Sequence, residues 1–167
     1  CIYGGTLILL YTMSSVYHGL RPGMGKKVMQ VLDHCTIYFL IAGSYTPVLL
    51  VAMRPRYTAL AWTLFGIVWG CAVLACTLTA VDLKKYSIFS MICYLAMGWT
   101  IIFFIKQTYE VMTLGGVLFL ITGGIAYTIG SILYGLGKKK KWMHSIFHLF
   151  ILAGSILHFF AIIFYAL

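Results

Sequence analysis

The sequence predicts an all-α, polytopic membrane helix bundle, and three observations lead to this fold class. Apolar residues make up 62% of the 167 residues and charged residues only 9%, whereas roughly 45–50% of the residues in soluble domains are apolar. The mean hydropathy is +1.00. The apolar residues form runs of roughly 20, the length that a helix needs to cross a bilayer core. A soluble chain of this size cannot bury so much apolar surface, so lipid must solvate it.

Six helices fit the apolar runs, and the loops between them are too short to hold a second domain. The predicted spans are 1–20, 31–53, 57–80, 86–105, 111–136 and 142–167. We therefore expect residues 1–167 to form a single transmembrane domain. The chain lacks an initiator Met and begins inside an apolar run, without the basic start and cleavage site of a signal peptide. It is therefore expected to be N-terminally incomplete, with a further upstream helix that brings the total to seven.

Basic residues divide the predicted loops between two sides of the membrane. Nine of the 12 lie on one side, and they are Arg21, Lys26, Lys27, Lys84, Lys85 and Lys138 to Lys141. Arg54, Arg56 and Lys106 lie on the other side. The positive-inside rule places the side with nine basic residues in the cytoplasm. Topology and anionic lipid headgroups account for the net charge of +9, so no nucleic-acid partner is expected.

Small residues and one proline predict how the helices pack. Pro47 lies inside the second span and is expected to kink it, because proline removes a backbone donor. The patterns that fit close helix packing are Gly66-x-x-x-Gly70, Gly123-Gly124 and Gly154-Ser155.

Four ionisable residues from three predicted helices share one depth in the membrane. His18 lies at the cytoplasmic end of the first span, and Asp33 lies at the cytoplasmic start of the second. His144 follows the lysine run at the start of the last span, and His148 is one turn deeper, by about 6 Å. Charge topology alone therefore predicts a polar layer at the cytoplasmic face.

The spacing within this layer predicts a metal site. His144 and His148 share a helix face, and His18 can add a third nitrogen from another helix. Three protein ligands with an open fourth position are typical of catalytic zinc, which lowers the pKa of its bound water to about 7. Ser14, one turn from His18, is a candidate to hold that water or to polarise a substrate carbonyl. Asp33 is a candidate general base, or a residue that orients the metal ligands.

Other interpretations of these residues remain open at this point. Asp33 at a helix N-terminus favours the helix dipole without any catalytic role, and the histidines are also compatible with hydrogen-bonded interfacial side chains. His34 is expected to be interfacial, although it is also a candidate fourth ligand. His158 lies about 15 Å deeper than His148, so a polar contact within the bundle is expected for it.

These residues lie in motifs that resemble the hemolysin III family, within the progestin and adipoQ receptor superfamily. The matching stretches are Ser14-Ser15-Val16-Tyr17-His18, Leu32-Asp33-His34, Ala42-Gly43-Ser44-Tyr45-Thr46-Pro47, Ala96-Met97-Gly98-Trp99, His144-Ser145-Ile146-Phe147-His148 and Ala153-Gly154-Ser155 through His158-Phe159-Phe160. The resemblance implies seven helices and zinc on three histidines, here His18, His144 and His148. It also implies that Ser14 and Asp33 lie beside the metal-bound water. The short loops resemble the bacterial branch, and the departure from the family pattern is the absent first helix.

Three functions follow as hypotheses. The first is a zinc-dependent, ceramidase-like membrane hydrolase that acts on a lipid amide or ester, since related membrane proteins hydrolyse ceramide-like lipids. The second is a non-catalytic receptor-like or pore-forming (cytolytic) protein with structural zinc. The third is a haem-binding redox protein, although two histidines one turn apart on one helix suit a single ion better. Membrane lipids and a lipid-like substrate or ligand are the expected partners.

Overall fold

Helices account for 91% of the computed structural model, which describes residues 2–83, 85–137 and 142–167. The described residues contain no strand. Lys84 and Lys138 to Lys141, which contribute to the predicted charge asymmetry, lie outside them. The helices are α1 (Ile2–Gly19), α2 (Met24–Pro47), α3 (Thr58–Val81), α4 (Ser87–Trp99), α5 (Ile105–Gly137) and α6 (Met143–Tyr165). A π-helical turn (Val48–Met53) follows α2, and a 3-10 turn (Thr100–Phe104) follows α4.

Four helical stretches of the described chain are long and apolar enough to cross a membrane. They are Met24–Met53, Thr58–Val81, Ser87–Gly135 and Met143–Tyr165. The stretch Ser87–Gly135 is 49 residues long and covers both predicted spans 86–105 and 111–136. The prediction of an all-helical, multi-pass membrane protein is confirmed.

The second helix begins earlier than the sequence predicted. α2 starts at Met24 instead of residue 31, so Asp33 lies about two and a half turns inside the helix. A helix dipole acts within the first turn. The expectation that Asp33 marks a helix N-terminus is therefore wrong, and a dipole effect does not account for its position.

The helix break at Pro47 takes the form of a wider turn. In the π-helical turn after Pro47, the N–H of Arg54 donates to the Leu49 carbonyl at 2.9 Å, five residues back. Such turns are rare and bend helices. A second break lies inside α5 at Thr113, whose φ of 60° and ψ of 176° are strained for a β-branched residue. This break lies close to the predicted start of the fifth span.

The described residues fall into two compact units that divide after Met97. In the first unit, a buried hydroxyl chain joins three helices. The Tyr38 hydroxyl lies 3.1 Å from Thr79 Oγ1, which lies 2.9 Å from Ser90 Oγ. All three side chains are almost completely buried, so these hydrogen bonds satisfy polar groups in an apolar core.

In the second unit, α5 and α6 pack closely at glycines. A Cβ added to Gly123 would overlap the His158 ring, and a Cβ added to Gly154 would lie 2.9 Å from the Tyr127 ring. Close packing at Gly123 and Gly154 is therefore confirmed. The prediction for Gly66-x-x-x-Gly70 is wrong, because no heavy atom of the described residues lies within 4 Å of a Cβ placed on Gly66 or Gly70.

Candidate metal centre

The first two turns of α6 place His144 and His148 side by side. Trp142 precedes the helix with a φ of 73°, so the backbone turns sharply just before His144. The two histidines are four residues apart and share a helix face. Their Nε2 atoms lie 3.1 Å apart, and their rings are nearly perpendicular, at 87°.

This separation matches the geometry of two nitrogens on one ion. Two nitrogens bound at 2.0–2.1 Å to a tetrahedral zinc lie about 3.3 Å from each other. The observed 3.1 Å between the two Nε2 atoms is close to that value. Two imidazoles one turn apart can therefore point their lone pairs at a common ion with little side-chain adjustment.

Aromatic side chains from both helices of the second unit surround His144. The Tyr134 ring from α5 lies 6.2 Å from the His144 ring, and the Phe147 ring lies 5.7 Å from it. Tyr134 and Phe147 also contact each other at 5.2 Å. This packing restricts the rotamers of His144, which lowers the entropy that the side chain loses when it binds an ion.

The third histidine lies at the end of α1. His18 is the last residue but one of α1, and its ring contacts the neighbouring Tyr17 ring at 4.7 Å. The ammonium group of Lys26 donates to the Leu20 carbonyl at 2.8 Å and lies 5.3 Å from the centre of the Tyr17 ring. These contacts stabilise the turn that follows α1 and the end of α1, where His18 lies.

Of the three predicted metal ligands, the structure brings His144 and His148 together on α6. His18 lies in the first compact unit, and its place in the metal site stays a prediction. His18 and His144 are exposed, and His148 is half-buried. A pair of imidazoles at this spacing suits zinc and other transition metals.

Asp33 and His34 lie next to each other on α2, in the first compact unit. The Asp33 side chain is only 14% exposed, and its Oδ2 lies 4.0 Å from His34 Nδ1. That same nitrogen lies 2.8 Å from the Gln30 carbonyl, one turn earlier. This contact fixes the His34 ring within α2, and its role as a fourth ligand stays a prediction.

Two further residues complete the set singled out from the sequence. Ser14 lies on α1, one helical turn before His18, and is half-buried. His158 lies in α6, where its Nε2 is 3.2 Å from the Leu120 carbonyl. The prediction of a polar contact within the bundle for His158 is thus confirmed.

Sequence reasoning missed Tyr127, whose ring lies across from His158. The two ring centres are 5.2 Å apart at an interplanar angle of 86°. A signal was present, because Gly123-x-x-x-Tyr127 on α5 repeats the spacing of Gly154-x-x-x-His158 on α6. An aromatic ring and a glycine one turn apart, on each of two helices, indicate rings packed over opposing glycines.

The helices and the pair of histidines on α6 define the class of this molecule, a multi-pass helical membrane protein with a candidate metal centre. The chain belongs to the haemolysin-III related family, whose model matches residues 1–159. This confirms the resemblance drawn from the motifs. Comparison with solved structures gives no match.

Relatives from bacteria and animals match almost the whole chain. Hemolysin-3 of Bacillus cereus is 40% identical over 166 residues, which cover 99% of this chain and 74% of that protein. The Hemolysin-3 homolog of Bacillus subtilis (strain 168) is 37% identical over 164 residues, which cover 98% of this chain and 75% of the homolog. Monocyte to macrophage differentiation factor of Homo sapiens is a member of the progestin and adipoQ receptor superfamily. It is 27% identical over 169 residues, which cover 96% of this chain and 67% of that protein.

Proposed function

We propose that this protein is a zinc-dependent membrane hydrolase that cleaves a lipid amide or ester, with His18, His144 and His148 as the zinc ligands. The observation that carries the proposal is the pair of imidazoles on α6, whose Nε2 atoms lie 3.1 Å apart. The sequence motifs add His18 as the third ligand. Three ligands suit a catalytic site, whereas structural zinc sites are closed by four protein ligands. Bound zinc supplies a Lewis acid for the carbonyl group and lowers the pKa of water.

Two side chains of this chain take the remaining roles. Asp33 accepts the proton of the attacking water and later returns it to the leaving group. Its side chain is only 14% exposed, and its position on α2 near the predicted cytoplasmic face supports this role. Ser14 donates a hydrogen bond that holds the water or polarises the carbonyl, and its position one turn from His18 supports this assignment.

The proposal also includes a topology. The described chain crosses the membrane six times within a seven-helix protein, and the basic loops and the metal centre face the cytoplasm. The basic residues of the sequence support this orientation through the positive-inside rule. The substrate is a membrane lipid, because a centre at the ends of apolar helices is reached from the headgroup region of the bilayer.

Metal content and lipid turnover test the proposal separately. Wild-type protein purified without added chelator is expected to hold about one zinc per chain by elemental mass spectrometry, and His148→Ala is expected to lose it. His34→Ala is the matched control, since His34 is not one of the three proposed ligands. The assay is hydrolysis of a panel of ceramides and acylglycerols. Bound zinc without turnover of any lipid in the panel contradicts the hydrolase proposal and leaves the metal site intact.

A second candidate is a non-catalytic, receptor-like or pore-forming protein whose zinc ties helices together. The name of the Bacillus cereus relative, Hemolysin-3, favours cytolysis for that protein. Release of a trapped dye from liposomes that persists after zinc chelation supports this candidate. Dye release that is absent with and without zinc contradicts the pore.

A further inference from the structure

The crossing of α5 and α6 places two aromatic rings over opposing glycines. The His158 ring lies over Gly123, and the Tyr127 ring lies over Gly154. The backbones approach closely as well, because a Cβ on Gly123 would lie 3.3 Å from the Gly154 carbonyl oxygen, and one on Gly154 would lie 3.1 Å from that of Gly123. The histidine is therefore packed between two helices in the apolar part of the chain.

The hydrogen bonds of His158 leave one of its nitrogens unpaired. A carbonyl oxygen can only accept a hydrogen bond, so the contact with the Leu120 carbonyl at 3.2 Å requires a proton on Nε2. In the neutral ring, Nδ1 then carries the lone pair and acts only as an acceptor. Nδ1 is buried and has no hydrogen-bond partner among the residues that the structure describes. Buried polar atoms without partners are rare and costly, and this one requires an explanation.

The surroundings restrict what can donate to this nitrogen. Residues 111–137 and 142–167 contain no Asp, Glu, Lys or Arg, so these segments supply no charge to balance an ionic ligand. A buried water needs about three hydrogen-bond partners. The nearby Tyr127 hydroxyl is 2.9 Å from Ser155 Oγ, and the Leu120 carbonyl already accepts from His158. A neutral donor with an apolar body fits this environment better than a water.

We propose that His158 Nδ1 accepts a hydrogen bond from the hydroxyl group of a membrane-soluble lipid that binds where α5 and α6 cross. Ionisable side chains inside a membrane often mark a binding site or a transport path. The site lies about 15 Å along α6 from His148. It is separate from the metal centre, and it requires neither zinc nor hydrolysis.

The test uses a pair of substitutions that separate the two nitrogens of the ring. In His158→Gln, the side-chain amide N–H can reach the Leu120 carbonyl, but nothing replaces Nδ1. In His158→Asn, the amide oxygen lies near the position of Nδ1, but the donor to Leu120 is lost. The probe is hexadecanol carrying a photoactivatable diazirine, added to purified full-length chain in lipid nanodiscs. Its methyl ether, which lacks the hydroxyl proton, is the control probe.

We expect saturable labelling of α5 or α6 by the alcohol, mapped by peptide mass spectrometry. The His158→Gln variant is expected to bind about threefold to tenfold more weakly, the range for the loss of one neutral hydrogen bond. The His158→Asn variant keeps most of the labelling, and the methyl ether labels the wild type no better than it labels His158→Gln. The His148→Ala variant labels like the wild type, which separates this site from the metal centre.

Two results overturn the proposal. Equal labelling by the alcohol and its methyl ether means that Nδ1 binds no lipid hydroxyl. Unchanged labelling of His158→Gln, together with a lower melting temperature of His158→Asn, means that His158 serves only to bond α6 to the Leu120 carbonyl.

Discussion

The substitution Gly123→Ala tests the packing of α5 against α6. A Cβ at this position would overlap the His158 ring and lie 2.7 Å from its Nε2 atom. The added methyl group cannot shift toward the opposing backbone, because the Gly154 carbonyl oxygen lies only 3.3 Å from the same point. The imidazole ring has to move instead.

The magnitude follows from these distances. Non-bonded atoms prefer about 3.5–4.0 Å, so Nε2 must retreat by about 0.8 Å or more. Its 3.2 Å contact with the Leu120 carbonyl then lengthens or breaks. Overpacking costs about 1–3 kcal/mol and the hydrogen bond about 0.5–1.5 kcal/mol, while alanine gains about 1 kcal/mol over glycine in a helix. We expect a net destabilisation of about 1–3 kcal/mol.

Reversible unfolding in mixed SDS micelles measures this difference. Gly66→Ala is the matched control, since no heavy atom of the described residues lies within 4 Å of its added methyl group. The control is expected to be neutral or stabilised by up to about 1 kcal/mol. The reasoning is refuted if Gly123→Ala unfolds at the same SDS fraction as Gly66→Ala.

Three further predictions concern the hydroxyl chain, the strained backbone and the metal. Thr79→Val is expected to lose about 1–3 kcal/mol of stability in the same unfolding assay, because it leaves two buried hydroxyls without their shared partner. Thr77→Val is the control and should change stability little, since the Thr77 hydroxyl is exposed and bonds to a carbonyl of its own helix. Equal effects of the two substitutions refute the role of the buried hydroxyl chain. Thr113→Gly is expected to raise stability by about 1 kcal/mol because glycine tolerates this backbone conformation, and a lower stability contradicts strain at this position. Zinc at 100 times its Kd should stabilise the wild type by about 2.7 kcal/mol. His34→Ala should keep this gain in stability, and His148→Ala should lose it. Stabilisation by zinc that survives in His148→Ala contradicts the assigned ligands.

Composition alone determines the class of this protein. Lipid offers the backbone no hydrogen-bond partners, so apolar runs of this length must be helical. The pairing of His144 with His148 was also predictable, because the i, i+4 spacing places both on one helix face. Their Nε2 atoms lie 3.1 Å apart. The matching depth of His18 stays a prediction from charge topology.

Helix ends and breaks were less predictable. The polar start of α2, Met24 to Gln30, resembles a loop in composition, yet it is helical and moves Asp33 into the helix interior. The break at Thr113 lies in an apolar segment that contains no proline. At a membrane surface, the backbone groups of a short polar segment can form hydrogen bonds either with water or within a helix. Composition therefore does not decide whether such a segment is a loop or a helix.

Only the tertiary structure decided which of two similar glycine patterns brings helices together. Gly66-x-x-x-Gly70 and Gly123-Gly124 look equally suited to packing. Among the described residues, a Cβ on Gly123 would meet α6 and one on Gly124 would meet the Trp99 ring, whereas one on Gly66 or Gly70 would meet no heavy atom within 4 Å. The contact at Gly123 comes from Gly154 and His158, more than 30 residues away in the sequence. The sequence fixes which residues can share a helix face, because that depends on local geometry. Which face meets which helix depends on shape complementarity between distant segments. That choice leaves His158 Nδ1 buried without a partner in the described part of the chain.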